Sequence, residues 1–488
     1  MQKLTFKNNL LLKPYYLILL IIFFVFHGYV ENYDLVPVTD CLLLVCQYTG
    51  FAILSTAMAY YFLRSINKAA LFTFFILSIN FFFGAAFDVL KKSPVSFLGK
   101  YSVILLLLVI SLVVTFIYLK KSTKLFYTIT KYLNFLFVIL LLLDIGQFTF
   151  LFQANPIVTD YSSRLTKCDT CATPDIYLIV ADEYAGNREL LSMGFDNRNF
   201  FEQLKKREFN VIKNTTSNYN PTEYSMASLF NMQYLKNVKE NLNTKDIARC
   251  FNAIDENEFL RLLPISYKVF NFSNFRVANQ EPLTNSPFYS DEKMFITEQT
   301  LLQRLMKDIG YHLYTKGILS LKNRQFENFH NNKMLIKATK DIVTTNEINP
   351  KFVYTHLTLP HYPYYFDKDG KQNEQLSKMW EEKMNQNDYL EYLQYSNRIY
   401  LELIDWIITK SKQPPIILLI SDHGFRQFEG NFDKTLVFSN LIAVHLPSNK
   451  YGGWYEQMSN VNILKILLNS EFQQKLTIQK DSLVFIKD

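Results

Sequence analysis

Five long apolar runs fill the first third of the chain, and no other feature of the sequence limits its fold as strongly. Crossing a hydrocarbon core of about 30 Å takes roughly 20 apolar residues in a helix, which satisfies its own backbone polar groups where no water can. The runs cover approximately 15–30, 41–63, 69–90, 101–119 and 132–152. They predict an N-terminal bundle of about five transmembrane helices. Lys3, Lys7 and Lys13 precede the first run as in a signal peptide, but no small-x-small cleavage pattern follows it, so it reads as a retained anchor. An N-inside arrangement places these lysines with Arg64, Lys68, Lys120, Lys121, Lys124 and Lys131 in the cytoplasm, and leaves only Lys91, Lys92 and Lys100 outside. The expected product is a multi-pass protein of the plasma (inner) membrane with a cytoplasmic N-terminus and a periplasmic or extracellular C-terminal domain. Asp88 and Asp144 fall near outer span ends, where an interfacial position accounts for both.

Composition changes near residue 152, so the 488 residues divide into a transmembrane module (1–152), a polar linker (153–173) and a globular domain (174–488). The net charge is +7, yet the basic residues are scattered and no Lys/Arg stretch carries interleaved aromatics, which excludes nucleic acid as the expected partner. The five cysteines form no zinc framework. Cys168 and Cys171 make a CxxC in the linker that reads either as a small disulfide, if extracytoplasmic, or as two thiols.

From Pro174 onward, strand-like and helix-like stretches alternate. Ile176 to Ala181 is a continuous apolar run ending in Asp182, residues 352–359 form another that carries His356 and leads to His361, and residues 415–421 end in Asp422-His423-Gly424. With a helical stretch such as 188–207 between strands, these runs predict an α/β domain with a central, mostly parallel sheet. In such sheets the crevice lies at the carboxyl ends of the strands, which here gather Asp182, Asp422, His423 and His361. Asp with neutral imidazole is a sound donor set for a divalent metal, zinc or manganese, at least one ion. Asn220 is read as a helix cap, Pro221 as the first helical residue and Glu223 as the partner in a capping-box pattern, which puts Thr222 in the first turn, where free N–H groups favour a bound phosphate. Thr222 needs a metal nearby to become a nucleophile. His445, in a later apolar run, is read as structural.

The runs Pro174-Asp-Ile-Tyr-Leu-Ile-Val-Ala-Asp-Glu-Tyr, Asn220-Pro-Thr-Glu-Tyr, Thr355-His-Leu-Thr-Leu-Pro-His-Tyr-Pro-Tyr and Ile420-Ser-Asp-His-Gly together resemble the alkaline phosphatase and sulfatase superfamily. The branch they look most like is the membrane-anchored sulfatase-like proteins, which include lipoteichoic acid synthases and phosphoethanolamine transferases. The resemblance spans nearly the whole chain and implies an alkaline-phosphatase-like (sulfatase-like) fold. It implies that Asp182, Thr222, Asp422 and His423 hold the metal, that Thr222 takes the phosphoryl group, and that His361 and, less directly, His356 meet substrate. Two departures stand out: the familiar His-Gly-Pro is His361-Tyr-Pro here, and no His closely follows Gly424 to complete a second metal site. Sulfatase activity is not expected, because no Cys fits C/S-x-P/A-x-R and Ser225-Met-Ala-Ser-Leu ends in Leu.

The sequence therefore predicts a metal-dependent phosphoryl-group transferase or phosphodiester/phosphoester hydrolase. Membrane lipids are the expected donors, and an envelope glycan or lipid the acceptor. The rival is a catalytically inactive membrane scaffold or glycan-binding protein.

Overall fold

The computed structural model describes residues 12–33, 35–92, 96–151, 157–158, 171–264, 266–284, 293–306, 326–373, 385–427 and 432–487. The chain divides into two compact units, Met1–Ala154 with Ser290–Leu321, and Asn155–Tyr289 with Lys322–Asp488.

The first unit contains α1 (Tyr16–Glu31), α2 (Val38–Leu63), α3 (Ile66–Lys92), α4 (Tyr101–Lys121) and α5 (Tyr127–Leu151). Helices α2 to α5 are long and apolar enough to cross a membrane, whereas α1, with 16 residues, is shorter. At 1.5 Å per residue α1 reaches only about 24 Å. Outward-facing Leu54, Leu106, Val114 and Leu142 are mostly exposed, as lipid-facing side chains would be in a protein without its bilayer. Polar clips join the helices: Tyr16 N donates to Asn134 Oδ1 at 2.6 Å, Asn134 Nδ2 to the Lys13 carbonyl at 2.9 Å, and Thr56 Oγ1 to Thr73 Oγ1 at 3.1 Å. Asp144, a predicted interfacial residue, is buried with Oδ1 3.0 Å from His27 Nδ1.

The segment after residue 290 also belongs to this unit, although it lies within 174–488 in sequence. Gly84 N of α3 donates to the Gln299 carbonyl at 2.8 Å, and a Cβ on Gly84 would stand 2.9 Å from Gln299 Cα. Only a glycine allows that approach. Arg304 Nη2 donates to Asp88 Oδ2 at 2.7 Å, so Asp88 has an ionic partner from a distant part of the chain.

The second unit is built on a six-stranded sheet. Its strands are β1 (Ile176–Ala181), β2 (Asn210–Val211), β3 (Lys268–Phe272), β4 (Lys351–Leu357), β5 (Ile416–Ser421) and β6 (Ile442–His445), in spatial order β2-β6-β5-β1-β4-β3. Strands β5, β1, β4 and β3 run parallel, and β6 and β2 add an antiparallel edge. All six residues of β1 are buried, as expected of a strand covered on both faces. Ile176, Leu178 and Val180 pack with α6 (Thr222–Asn231) and α7 (Asn460–Glu471). Tyr177, Ile179 and Ala181 face the opposite layer, with α8 (Gln386–Lys410) and α9 (Glu327–Val343).

Two local expectations are corrected. The helical stretch 188–207 is two helices, Asn187–Ser192 and Arg198–Lys205, parted by Gly194 at φ +76, a left-handed conformation that ends the first. Pro221, not Asn220, is the N-cap of α6, with no side-chain cap bond. Asn220 instead bonds both backbone groups of Ile486, at 2.8 and 2.9 Å, and ties the start of α6 to the C-terminal segment. Of the predicted linker, residues 159–170 including Cys168 lie outside the described residues, and Cys171 is disulfide-bonded.

Candidate metal centre

Parallel register brings the carboxyl ends of β1, β4 and β5 to one level. Ala181 pairs with both Leu357 and Ser421, so the next residues, Asp182 and Asp422, leave the sheet side by side. His356, one residue inside β4, is in register with Val180. One ligand atom each from Asp182, His356 and Asp422 lies within 4.8 Å of the others. His423 Nε2 stands 3.3 Å from Asp422 Oδ2 and 3.9 Å from Asp182 Oδ1, and His356 Nε2 stands 3.7 Å from Asp182 Oδ2. All four side chains are fully buried.

The hydrogen bonding shows what this cluster lacks. Both oxygens of Asp182, Asp422 Oδ2 and His356 Nε2 are buried without a partner. Buried polar atoms normally have partners, and an uncompensated buried carboxylate is costly. Each of these atoms carries a lone pair, so a cation would satisfy them together. Donors about 2.1 Å from one ion at tetrahedral angles are about 3.4 Å apart, close to the spacings here, and the mixed O/N set suits zinc or manganese.

Local structure aims each group. His423 Nδ1 lies 2.7 Å from the Gly424 carbonyl, to which it donates, leaving the Nε2 lone pair directed inward. Burial, reinforced by Arg426, lowers its pKa to about 3, so the ring is neutral. A Cβ on Gly424 would collide with Glu189 Oε2 and the Ser439 carbonyl. Ser421 Oγ receives Tyr184 N at 3.1 Å, and Asp422 Oδ1 receives Glu183 N at 3.0 Å, which pins the two strand ends together. Burial and the charge of Asp182 raise the Asp422 pKa. Burial also pushes Asp182 upward, but the imidazoles of His361, His356 and His423 outweigh it, and the net shift is downward.

Thr222 is the first residue of α6, where N–H groups lack a side-chain cap, and its Oγ1 lies 3.1 Å from His423 Nε2. Ser225, one turn on, donates to the Asp422 carbonyl at 2.6 Å and locks α6 onto the strand end. His361 is the more accessible imidazole, 27% exposed, with Nδ1 2.7 Å from the Tyr362 carbonyl and Nε2 3.8 Å from Glu183 Oε2. Burial lowers its pKa, but Asp182 and Glu183 prevail and the net shift is upward. The structure thus brings Asp182, Thr222, Asp422, His423, His356 and His361 together. His356, expected to meet substrate, is fully buried, with its other ring nitrogen 2.8 Å from Tyr354 Oη. His445 is elsewhere, its Nδ1 3.0 Å from the Pro415 carbonyl.

Two residues were missed by sequence reasoning. Glu183 has φ 61, a strained conformation for a residue with a Cβ, and strain of this kind concentrates at functional sites. Its Oε1 accepts from Arg426 N at 3.2 Å, and its main-chain carbonyl from Tyr389 Oη at 2.8 Å. Arg426 in turn donates from Nη1 to the Asn220 carbonyl at 3.2 Å. The available signals were the acidic pair Asp182-Glu183 and an Arg two residues past Gly424, neither specific by itself.

No family model and no curated protein matches the chain. Among solved structures, it is similar to the C-terminal periplasmic domain of phosphoethanolamine transferase EptC from Campylobacter jejuni, at 14% identity over 66% of this chain and 95% of that one, with a TM-score of 0.41. The integral membrane lipooligosaccharide phosphoethanolamine transferase A from Neisseria meningitidis aligns over 94% of each chain at 11% identity and a TM-score of 0.38. An alkaline phosphatase superfamily protein from Vibrio parahaemolyticus aligns over 66% of this chain and 76% of that one, at 13% and 0.36.

Proposed function

We propose that the chain is a membrane-anchored, metal-dependent phosphoryl-group transferase or phosphodiester/phosphoester hydrolase with Thr222 as nucleophile. The observation that carries this reading is the group of unpartnered buried donor atoms on Asp182, His356 and Asp422, with a Thr hydroxyl against the adjacent His423. Asp182, Asp422 and His423 would hold a zinc or manganese ion, with the Thr222 oxygen beside it and His356 completing the buried donor set. The ion would lower the Thr222 pKa and balance charge on the non-bridging phosphoryl oxygens.

With its hydroxyl proton already lost to solvent, Thr222 Oγ bonds to phosphorus as the alkoxide while the bond from phosphorus to the leaving oxygen breaks, and it leaves the second step as the same alkoxide. The leaving alcohol takes a proton from His361, whose pKa Asp182 and Glu183 raise against the opposing effect of burial. His361 recovers a proton from the acceptor alcohol or water that attacks the phospho-threonine, and Thr222 is released. The apolar helices support a lipid donor and a lipid or envelope-glycan acceptor. A cytoplasmic N-terminus with a periplasmic or extracellular catalytic domain requires the shorter α1 to cross together with α2 to α5, since four crossings alone would leave both on one side. The unpartnered buried carboxylates argue against the inactive-scaffold reading, because a site without chemistry gains nothing from that cost.

The test is turnover of a chromogenic phosphodiester, and separately of a sulfate ester, by the full-length protein in detergent, alongside elemental analysis of bound metal. Wild type is expected to hold metal and cleave the phosphodiester. Thr222→Ala should keep the metal and lose about 10³-fold or more in turnover. A folded, metal-free wild type, or turnover indifferent to Thr222→Ala, would overturn the reading.

A further inference from the structure

Beside the buried cluster lies a second charged group, nearer the surface. Glu183 stands between a cationic guanidinium and an imidazole: Arg426 Nε is 3.9 Å from its Oε1, and His361 Nε2 is 3.8 Å from its Oε2. Glu183 is fully buried, whereas the side chains of Arg426 and His361 are about a third exposed, 31% and 27%. These two side chains are therefore the accessible members of the group.

Arg426 is held from two directions. Its main-chain N donates to Glu183 Oε1 at 3.2 Å, and Nη1 donates to the Asn220 carbonyl at 3.2 Å, two residues before Thr222. Its Nε is buried without a partner. The guanidinium thus sits at the start of α6 with donor capacity left over. Among the described residues the one group with metal-ligand geometry is Asp182, His356 and Asp422, so Glu183 and His361 form no second set of that kind. A fixed cation this close to Glu183 would also repel a second divalent ion.

We propose that Arg426 is a phosphoryl-binding residue, its guanidinium, held by Glu183 and Asn220, supplying beside Thr222 the second positive charge of a one-metal site. A planar guanidinium offers paired donors that match two phosphoryl oxygens, cannot be deprotonated in a protein, and needs no exchangeable ion. The proposal rests on the phosphoryl-transfer reading and adds what part of the substrate this side chain holds.

The test uses full-length protein in detergent: wild type, Arg426→Ala and Arg426→Lys. Metal is counted by elemental analysis and inorganic phosphate binding is measured by calorimetry, neither of which needs turnover. One ion per chain is expected in all three. Phosphate affinity should fall about 10- to 100-fold in Arg426→Ala, by less in Arg426→Lys, and recover in part when guanidinium is added to Arg426→Ala. Phosphate binding unchanged in Arg426→Ala, no recovery with guanidinium, or two ions per wild-type chain would overturn the proposal. Loss of phosphate affinity in Arg426→Ala together with turnover that ignores Thr222→Ala would uphold the anion site and sink the nucleophile assignment, which separates the two failures.

Discussion

At the scale of single residues, the site combines groups that would be unstable apart. Asp182 and Asp422 are fully buried side by side, and each disfavours the ionised form of the other unless a cation lies between them. Removing one carboxylate should therefore remove the ion: Asp182→Asn or Asp422→Asn is expected to lose stoichiometric metal, read by elemental analysis, while retaining the far-ultraviolet circular dichroism of the wild type. The pH dependence follows from the same pair. Burial and Asp182 raise the Asp422 pKa, metal binding requires the carboxylate, and protons therefore compete with the ion. Affinity should be full at neutral pH and decline on acidification from a higher pH than an ordinary aspartate would require, in a chelator competition titrated downward in pH. Affinity independent of pH across that range would contradict the assignment. Asp182, Asp422 and His423 were legible in the sequence because each ends a long apolar run. Glu183 and Arg426 were not, because their importance lies in a left-handed turn and a cross-chain bond that no local pattern encodes.

At the scale of elements, strand register places the chemistry. Ile179, at the centre of β1 and fully buried, holds that strand against the α8 and α9 layer. Ile179→Ala should cost about 2–5 kcal/mol in reversible denaturation, enough to threaten the level at which Asp182 and Asp422 emerge. The strands could be read from their apolar runs, but the antiparallel edge could not, since β2 has two residues and gives no period. The break at Gly194 and the shift of the α6 cap were hidden for a related reason: Asn220 has a choice of partners, and the C-terminal backbone takes it. In the first unit, the close approach of Gly84 to Gln299 leaves no room for a side chain. Gly84→Leu is expected to dislodge the 293–306 segment and expose Arg304 to trypsin, seen as a faster nick in limited proteolysis. An unchanged digestion pattern would show that the contact does not hold the segment.

At the scale of the whole molecule, hydropathy marked the division into a helical unit and a sheet-based unit, but the return of the chain after residue 290 to the first unit was invisible to it. That segment docks through Gly28 against Ile296, Gly84 against Gln299, the Arg304–Asp88 ion pair and scattered polar contacts, none of which makes an apolar run. The proposed lipid donor fits a chain that carries membrane-spanning helices, because attachment to the membrane would raise the effective concentration of such a donor. In the proposed reaction Thr222 carries the phosphoryl group between donor and acceptor. Its most direct test is peptide mass spectrometry of full-length protein quenched in acid during turnover of a phosphodiester. Phosphate is expected on Thr222 in the wild type and nowhere in Thr222→Ala. Sustained turnover with no modified Thr222, or with the phosphate on another residue, would contradict it.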